Sequence, residues 1–158
     1  MDPHPPDKLQ HATDYLELII HMAEYDLSMI RQMPEKTFER NPFIDSLLIR
    51  LRTIIEFLYR KGRGFPSDVI ALDFVPNWEP PDDRLLAEQK ELIDTTLVHL
   101  STKQMPKLIS EVEFAWEDIY RHTMHALLLF FEKAPPDLVL DQARGRFRSA
   151  YALAFGGK

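Results

Sequence analysis

The chain has 158 residues, a net charge of −6 and no cysteine. This length suits one domain with its own core, and a composition of 45% apolar and 28% charged residues is typical of globular proteins. The lack of cysteine excludes disulfides and thiolate metal sites, and the acidic balance argues against nucleic-acid binding over the whole surface. No signal peptide or membrane-spanning run is evident, so we expect a cytoplasmic protein.

Apolar residues recur at helical spacing in two segments of the N-terminal half. The first predicted helix runs from about Thr13 to Gln32, with its cap at Thr13 or the following residue, and leaves residues 1–12 as a flexible segment. The second predicted helix begins at Asn41-Pro42, a capping residue followed by proline, and Gly62 is expected to end it.

The second and third predicted helices are joined by about twenty residues, more than a bundle connection needs. This insert carries four large apolar residues: Phe65, Ile70, Phe74 and Trp78. We therefore predict that it folds back, with Phe74 and Trp78 buried against the second and third helices. Ser67 is expected to cap a short helical turn over residues 68–74.

Three further helices are predicted in the C-terminal half. The third begins near Asp82 or Asp83 and continues to about residue 100, and the fourth runs from about Pro106 to a stop before Pro135. A short final helix covers about 141–154. The predicted fold class is all-α: a four-helix up-and-down bundle over residues 13–133, with a long ordered insert and a C-terminal helical extension over residues 134–158.

The fourth predicted helix has apolar residues on two sides. Trp116, Ile119 and Thr123 mark its core face, whereas the opposite face carries Phe114, Leu128 and Leu129. Because an uncovered apolar face lowers solubility, either the C-terminal segment or a second subunit should cover it. We expect a homodimer through this helix or through the C-terminal segment.

Arg121 and His125 lie one helical turn apart on the fourth helix, near Asp118. An arginine that holds phosphate and a histidine that moves protons suit the cleavage of RNA. The alternative, which we prefer, is a polar strip at a helix or subunit contact. His122 and His125 offer two metal ligands, but no further pair completes a site, so no metal or other cofactor is predicted.

A second candidate site binds a small ligand through Arg52, Glu56, Asp73 and His99. The arginine would hold an anionic group, and the carboxylates would orient hydroxyls or amines. For His99 the structural alternative is a favourable interaction with the end of the third helix. The C-terminal Arg144, Arg146 and Arg148 are a weaker candidate for phosphate binding, since a glycine interrupts the run.

Several segments carry a family resemblance: Leu-Ile-Arg-Leu-Arg-Thr-Ile-Ile-Glu-Phe-Leu-Tyr at 48–59, Asp-Val-Ile-Ala-Leu-Asp-Phe at 68–74, Trp78, and Val-His-Leu-Ser at 98–101. Together they resemble uncharacterised bacterial proteins related to HEPN domains, over roughly residues 14 to 132. The resemblance implies a small helical bundle, commonly dimeric, of the kind found in defence, toxin–antitoxin and RNA-processing systems.

Active HEPN members carry an arginine, a polar residue and a histidine along one helix, and two copies meet at the dimer interface. Arg121-His122 matches the start of that motif, but only three residues separate Arg121 from His125, fewer than in active members. We therefore predict a cytoplasmic HEPN-like accessory module in a defence, stress or nucleic-acid-related system. The alternatives are a metal-independent endoribonuclease that uses Arg121 and His125, and a small-ligand-binding bundle.

Overall fold

The computed structural model describes residues 4–34, 38–94, 115–139 and 141–155. Within these ranges the chain forms six α-helices and one 3-10 turn: α1 (Pro6–Gln32), the 3-10 turn (Phe38–Arg40), α2 (Asn41–Tyr59), α3 (Ala71–Phe74), α4 (Arg84–Ile93), α5 (Trp116–Lys133) and α6 (Asp141–Phe155). The same ranges contain no strand, and the predicted all-α helical bundle is confirmed. The up-and-down order of its long helices stays a prediction.

Helix α1 begins earlier than the sequence predicted, at Pro6 instead of about Thr13. Proline fits the first helical position because its missing N–H has no helical partner there. Thr13 is a buried interior residue, and its hydroxyl donates to the carbonyls of Leu9 and Leu138, both at 3.1 Å. Ahead of the helix, the buried His4 places Nε2 2.7 Å from the carbonyl oxygen of Asp68. His4 and Leu9 are therefore packed against the bundle, whereas the four residues between them are exposed.

Helix α2 lies at the centre of the bundle and packs against α1, α4 and α5. It begins at Asn41, so the predicted start is confirmed, but Arg40 and not Asn41 is the capping residue. The helix ends at Tyr59, shortly before Gly62. One side of the helix is completely buried and consists of Leu47, Leu48, Leu51, Ile54, Ile55 and Leu58. These residues recur every three or four positions, so a single helical face supplies one wall of the core.

The insert between α2 and α4 folds back onto the bundle, as predicted. Trp78 is 5% exposed, and Phe74, also buried, packs its ring edge-on against Phe57 of α2 and Phe130 of α5. Their ring contacts therefore involve the predicted second and fourth helices. One detail of the prediction is wrong: the helical turn begins at Ala71, after Ile70, without a Ser67 cap. Phe65, the first large apolar residue of the insert, is 70% exposed.

Helices α4 and α5 are the predicted third and fourth helices. Helix α4 begins at Arg84, close to the predicted start, and Asp83 caps it by accepting a 3.1 Å hydrogen bond from the main-chain N–H of Leu86. The predicted end of the third helix and the predicted start of the fourth near Pro106 lie outside the described residues. On α5, Phe130 packs edge-on against Phe57 and Trp78, with ring centroids 5.1 and 5.5 Å apart.

Helix α6 packs against both α5 and α1. The rings of Phe131 and Phe147 lie 4.6 Å apart, and Leu128 and Leu129 are half-buried against the core. The C-terminal segment thus covers part of α5, one of the two alternatives that the sequence left open. Phe114 lies outside the described residues.

Candidate functional site

The two candidate catalytic residues lie on the outer surface of α5. His125 is exposed, and the Arg121 side chain is 49% exposed with its Nη1 3.6 Å from Oδ1 of Asp118. In water such a surface pair contributes little stability, and neither side chain lines the cleft described below. Arg121 thus lies beside an acidic neighbour on an exposed face of the helix.

His122 joins two helices. Its Nδ1 lies 2.6 Å from Oδ2 of Asp83, the carboxylate that also caps α4. This contact links the start of α4 to the middle of α5. Within the described ranges, no group of three His, Asp or Glu side chains is arranged to hold a metal ion.

Of the four residues proposed to bind a small ligand, the three that the structure describes belong to separate ion-pair networks. Arg52 and Glu56 pair on α2 at 3.1 Å, and the network extends to Lys90 and Asp94 of α4. Burial acts to raise the pKa of Asp94, but the hydrogen bonds and charges of Arg52 and Lys90 outweigh it and lower that pKa below its ordinary value. This network ties α4 to α2.

Asp73, the third member of that set, has a separate structural role. It forms an ion pair with Arg63, and both side chains are less than a tenth exposed. Its Oδ2 also accepts a 2.9 Å hydrogen bond from the main-chain N–H of Ile70, which stabilises the first turn of α3. The fourth member, His99, lies outside the described residues.

An open cleft of about 330 Å³ lies between α1, α2 and the insert. Its polar lining includes Tyr15, Glu56, Arg60 and Asp68. Glu56 already pairs with Arg52, and Arg60 Nη1 lies 3.0 Å from Oδ2 of Asp68. Because the charged groups at this cleft have protein partners, the cleft does not indicate the charge of a ligand.

The C-terminal arginines also serve the fold. Arg144 donates to the main-chain carbonyls of Phe131 at 2.6 Å, Ala134 at 2.7 Å and Val139 at 3.3 Å. It therefore closes the end of α5, where helical carbonyls lack partners within the helix. Arg146 Nε lies 2.7 Å from Oε1 of Glu17 and links α6 to α1. Because these contacts engage two of the three arginines, little of the proposed phosphate site is left.

Comparisons with known protein families, curated proteins and solved structures found no match to this chain. Among the described helices, none combines the length and the apolar character that crossing a bilayer requires. The function is therefore inferred from the surface of this molecule.

The clearest unexplained surface feature is an apolar row on α1, which we call the α1 stripe. It consists of Tyr15, Leu18, Met22 and Tyr25, exposed by 62%, 50%, 40% and 57%. The spacing of three, four and three residues places these side chains along one side of the helix. The core face of α1, which includes Leu16, Ile20 and Leu27, lies on roughly the opposite side. Helix α1 is thus apolar on both sides.

Residues of α2 support the stripe from one flank. The Tyr25 and Phe43 rings are 6.5 Å apart, and Arg50 Nη2 lies 3.7 Å from Sδ of Met22. The same Arg50 places Nη1 3.1 Å from Oδ2 of the buried Asp26, whose pKa is raised by burial against the opposing effects of Ser46 and Arg50. Arg50 thereby holds the α1–α2 edge in a fixed arrangement beside the stripe.

The α1 stripe was not predicted from the sequence, although its spacing is visible there. The core residues of α1 account for only one of its two apolar sides. A second apolar row at heptad spacing, with two tyrosines, is the sequence pattern that indicates the stripe.

Proposed function

We propose that this protein is a HEPN-like accessory module that acts by binding another protein through the α1 stripe. The single observation that supports this proposal is the exposure of Tyr15, Leu18, Met22 and Tyr25 in one continuous row. Tyrosine and methionine are enriched at protein interfaces, because they combine a large apolar area with adaptable or polar contacts. An exposed apolar row on an otherwise well-packed helix is the usual mark of such a surface.

The residues suited to RNA cleavage support an accessory role over a catalytic one. Arg121 lies beside Asp118, and His125 is exposed on the outer surface of α5. We place the module in the cytoplasm, where a chain without cysteine needs no oxidising environment. A defence, stress or nucleic-acid-related system remains the proposed setting, on the strength of the sequence resemblance.

Site-specific photo-crosslinking in the cells that produce the protein tests this function. A photoreactive amino acid at position 18 lies in the α1 stripe, and one at position 65 replaces the exposed Phe65 of the insert as a matched control. We expect a discrete protein adduct from position 18 and none from position 65. No adduct from position 18, or equal adducts from both positions, would contradict the proposed function.

A further inference from the structure

We infer that the partner of the α1 stripe is a second copy of this chain, bound by antiparallel pairing of the two α1 helices about a twofold axis. This inference rests on the proposed function and names the partner of that surface. The axis would cross the stripe midway between Leu18 and Met22. The chemical symmetry of the stripe, its charges and its area support this pairing.

The order of residue types in the stripe is nearly the same in both directions along α1. About this twofold axis, Tyr15 faces Tyr25 of the second copy and Leu18 faces Met22. A twofold interface uses one surface patch on both subunits, so the patch must be complementary to itself. The outer pair is tyrosine with tyrosine, and the inner pair matches two flexible apolar side chains of similar size.

The same spacing continues beyond the stripe at both ends of α1. Lys8 and His11 precede it, and Met29 and Gln32 follow it, at alternating intervals of three and four residues. The antiparallel arrangement places Lys8 opposite Gln32 and His11 opposite Met29. A parallel arrangement would instead place Lys8 opposite Lys8 and bring like charges together. Charge therefore favours the antiparallel pairing.

The available area predicts a reversible dimer. At 62% and 57% exposure, the two tyrosines offer on the order of 250 Å² per copy, since an aromatic side chain buries roughly 200 Å². Leu18, Met22 and the neighbouring exposed Ile49 of α2 add to this. The sum falls short of about 800 Å² per partner in a standard interface, so we expect a concentration-dependent equilibrium, roughly micromolar in strength.

Sedimentation of the pure protein over a wide concentration range tests for the dimer. We expect a monomer–dimer equilibrium whose dissociation constant rises about tenfold or more in Leu18→Glu, because dimerisation would bury a charge. Phe65→Glu, a matched substitution at an exposed site outside the stripe, should leave the constant unchanged. A wild-type protein that stays monomeric throughout would overturn the inference, as would equal effects of the two substitutions.

Cysteine cross-linking tests the antiparallel geometry, since the native chain has no cysteine. In the proposed dimer, residues 15 of the two copies are separated by about 15 Å along the axis, whereas residue 15 of one copy faces residue 25 of the other. With a short thiol cross-linker, a mixture of Tyr15→Cys and Tyr25→Cys proteins should yield covalent dimers. Each variant alone should yield few, and efficient cross-linking of Tyr15→Cys alone would indicate a parallel pair and overturn the inference.

The two proposals fail in distinguishable ways. If the pure protein is monomeric but position 18 cross-links to a different protein in cells, the self-pairing is wrong and the interaction function stands. If the pure protein dimerises as described but position 18 yields no adduct in cells, the pairing stands and the proposed function is wrong.

Discussion

The indole Nε1–H of Trp78 donates a 2.7 Å hydrogen bond to the main-chain carbonyl of Leu58, in the last turn of α2. Carbonyls at the end of a helix have no partner within it, so this side chain satisfies a buried acceptor. The insert therefore completes α2, in addition to covering it. This explains why such a long connection is ordered against the bundle.

Replacing Trp78 with phenylalanine should remove this hydrogen bond while retaining most of the apolar contact. We expect the free energy of unfolding to fall by about 1–3 kcal/mol, because the Leu58 carbonyl is left buried without this donor. Chemical denaturation followed by circular dichroism measures the change. Trp116→Phe, at a half-buried site, is the matched control and should cost less. Equal losses in the two variants would contradict the role assigned to the hydrogen bond.

Asp73 should be among the least replaceable residues of the insert. Asp73→Ala removes the carboxylate from the buried Arg63 and the acceptor for the Ile70 N–H, and we expect a loss of about 3–5 kcal/mol in unfolding free energy. The same measurement on Glu88→Ala, which breaks the exposed pair with Arg84, should show a change within about 0.5 kcal/mol. A mild effect of Asp73→Ala would show that α3 does not depend on this ion pair.

The network around Asp94 predicts a definite pH dependence. Because the folded pKa of this carboxyl lies below its ordinary value of 3.8, its ionised form adds stability above that value. The contribution is lost as the pH falls through the lower, folded pKa. Asp94→Asn should therefore cost about 1–2 kcal/mol at neutral pH, with the difference from wild type disappearing in strong acid.

Asp45 supplies a control of opposite sign for that experiment. Burial raises its pKa, so its contribution to stability is fully present below its ordinary value of 3.8 and is lost as the pH rises through the higher, folded value. Asp45→Asn should leave neutral-pH stability unchanged or improved. If both asparagine variants lose stability in parallel over the whole pH range, the assigned charge interactions are wrong.

Arg144 should determine whether α6 stays docked on α5. Arg144→Ala removes three hydrogen bonds to main-chain carbonyls, two of them at the end of α5. We expect a loss of about 2–3 kcal/mol together with faster amide exchange in α6. Arg148→Ala changes an exposed arginine on the same helix and should leave exchange unaltered. Hydrogen exchange measured by mass spectrometry distinguishes the two outcomes.

RNA should survive incubation with the purified protein. The expected absence of cleavage follows from the placement of Arg121 beside Asp118 on the outer surface of α5. Mixed single-stranded RNA is incubated with wild type and with His125→Ala, and the products are separated on a denaturing gel. Cleavage by the wild type that His125→Ala abolishes would establish the endoribonuclease alternative instead.

Much of the fold could be predicted from the sequence because its signals are local. The start of α2 at Asn41, the start of α4 next to Asp83 and the burial of Trp78 follow from local start signals and hydrophobic periodicity. The start of α1 was missed because Thr13 resembles a cap. Its hydroxyl instead serves the carbonyls of Leu9 and Leu138, and the latter contact joins residues that are remote in the chain.

The site residues were harder to predict because side-chain partners depend on packing between elements. Nothing in the local sequence shows that His122 contacts Asp83 or that Asp73 pairs with Arg63. Composition alone made Arg52, Glu56 and Asp73 a plausible group, yet the structure distributes them between two networks. The α1 stripe is the opposite case, since its regular spacing was visible in the sequence.

Two apolar sides on one helix imply an unusual pattern of tolerance to substitution. In a saturation library selected for the proposed self-association, Leu18 and Met22 should accept as few replacements as the buried Leu16 and Ile20, although solvent reaches them in the isolated chain. Substitutions should be tolerated freely only on the narrow polar strip between the two apolar sides, at positions such as His21. Accessibility in the single chain would then be a poor guide to which positions of α1 can vary.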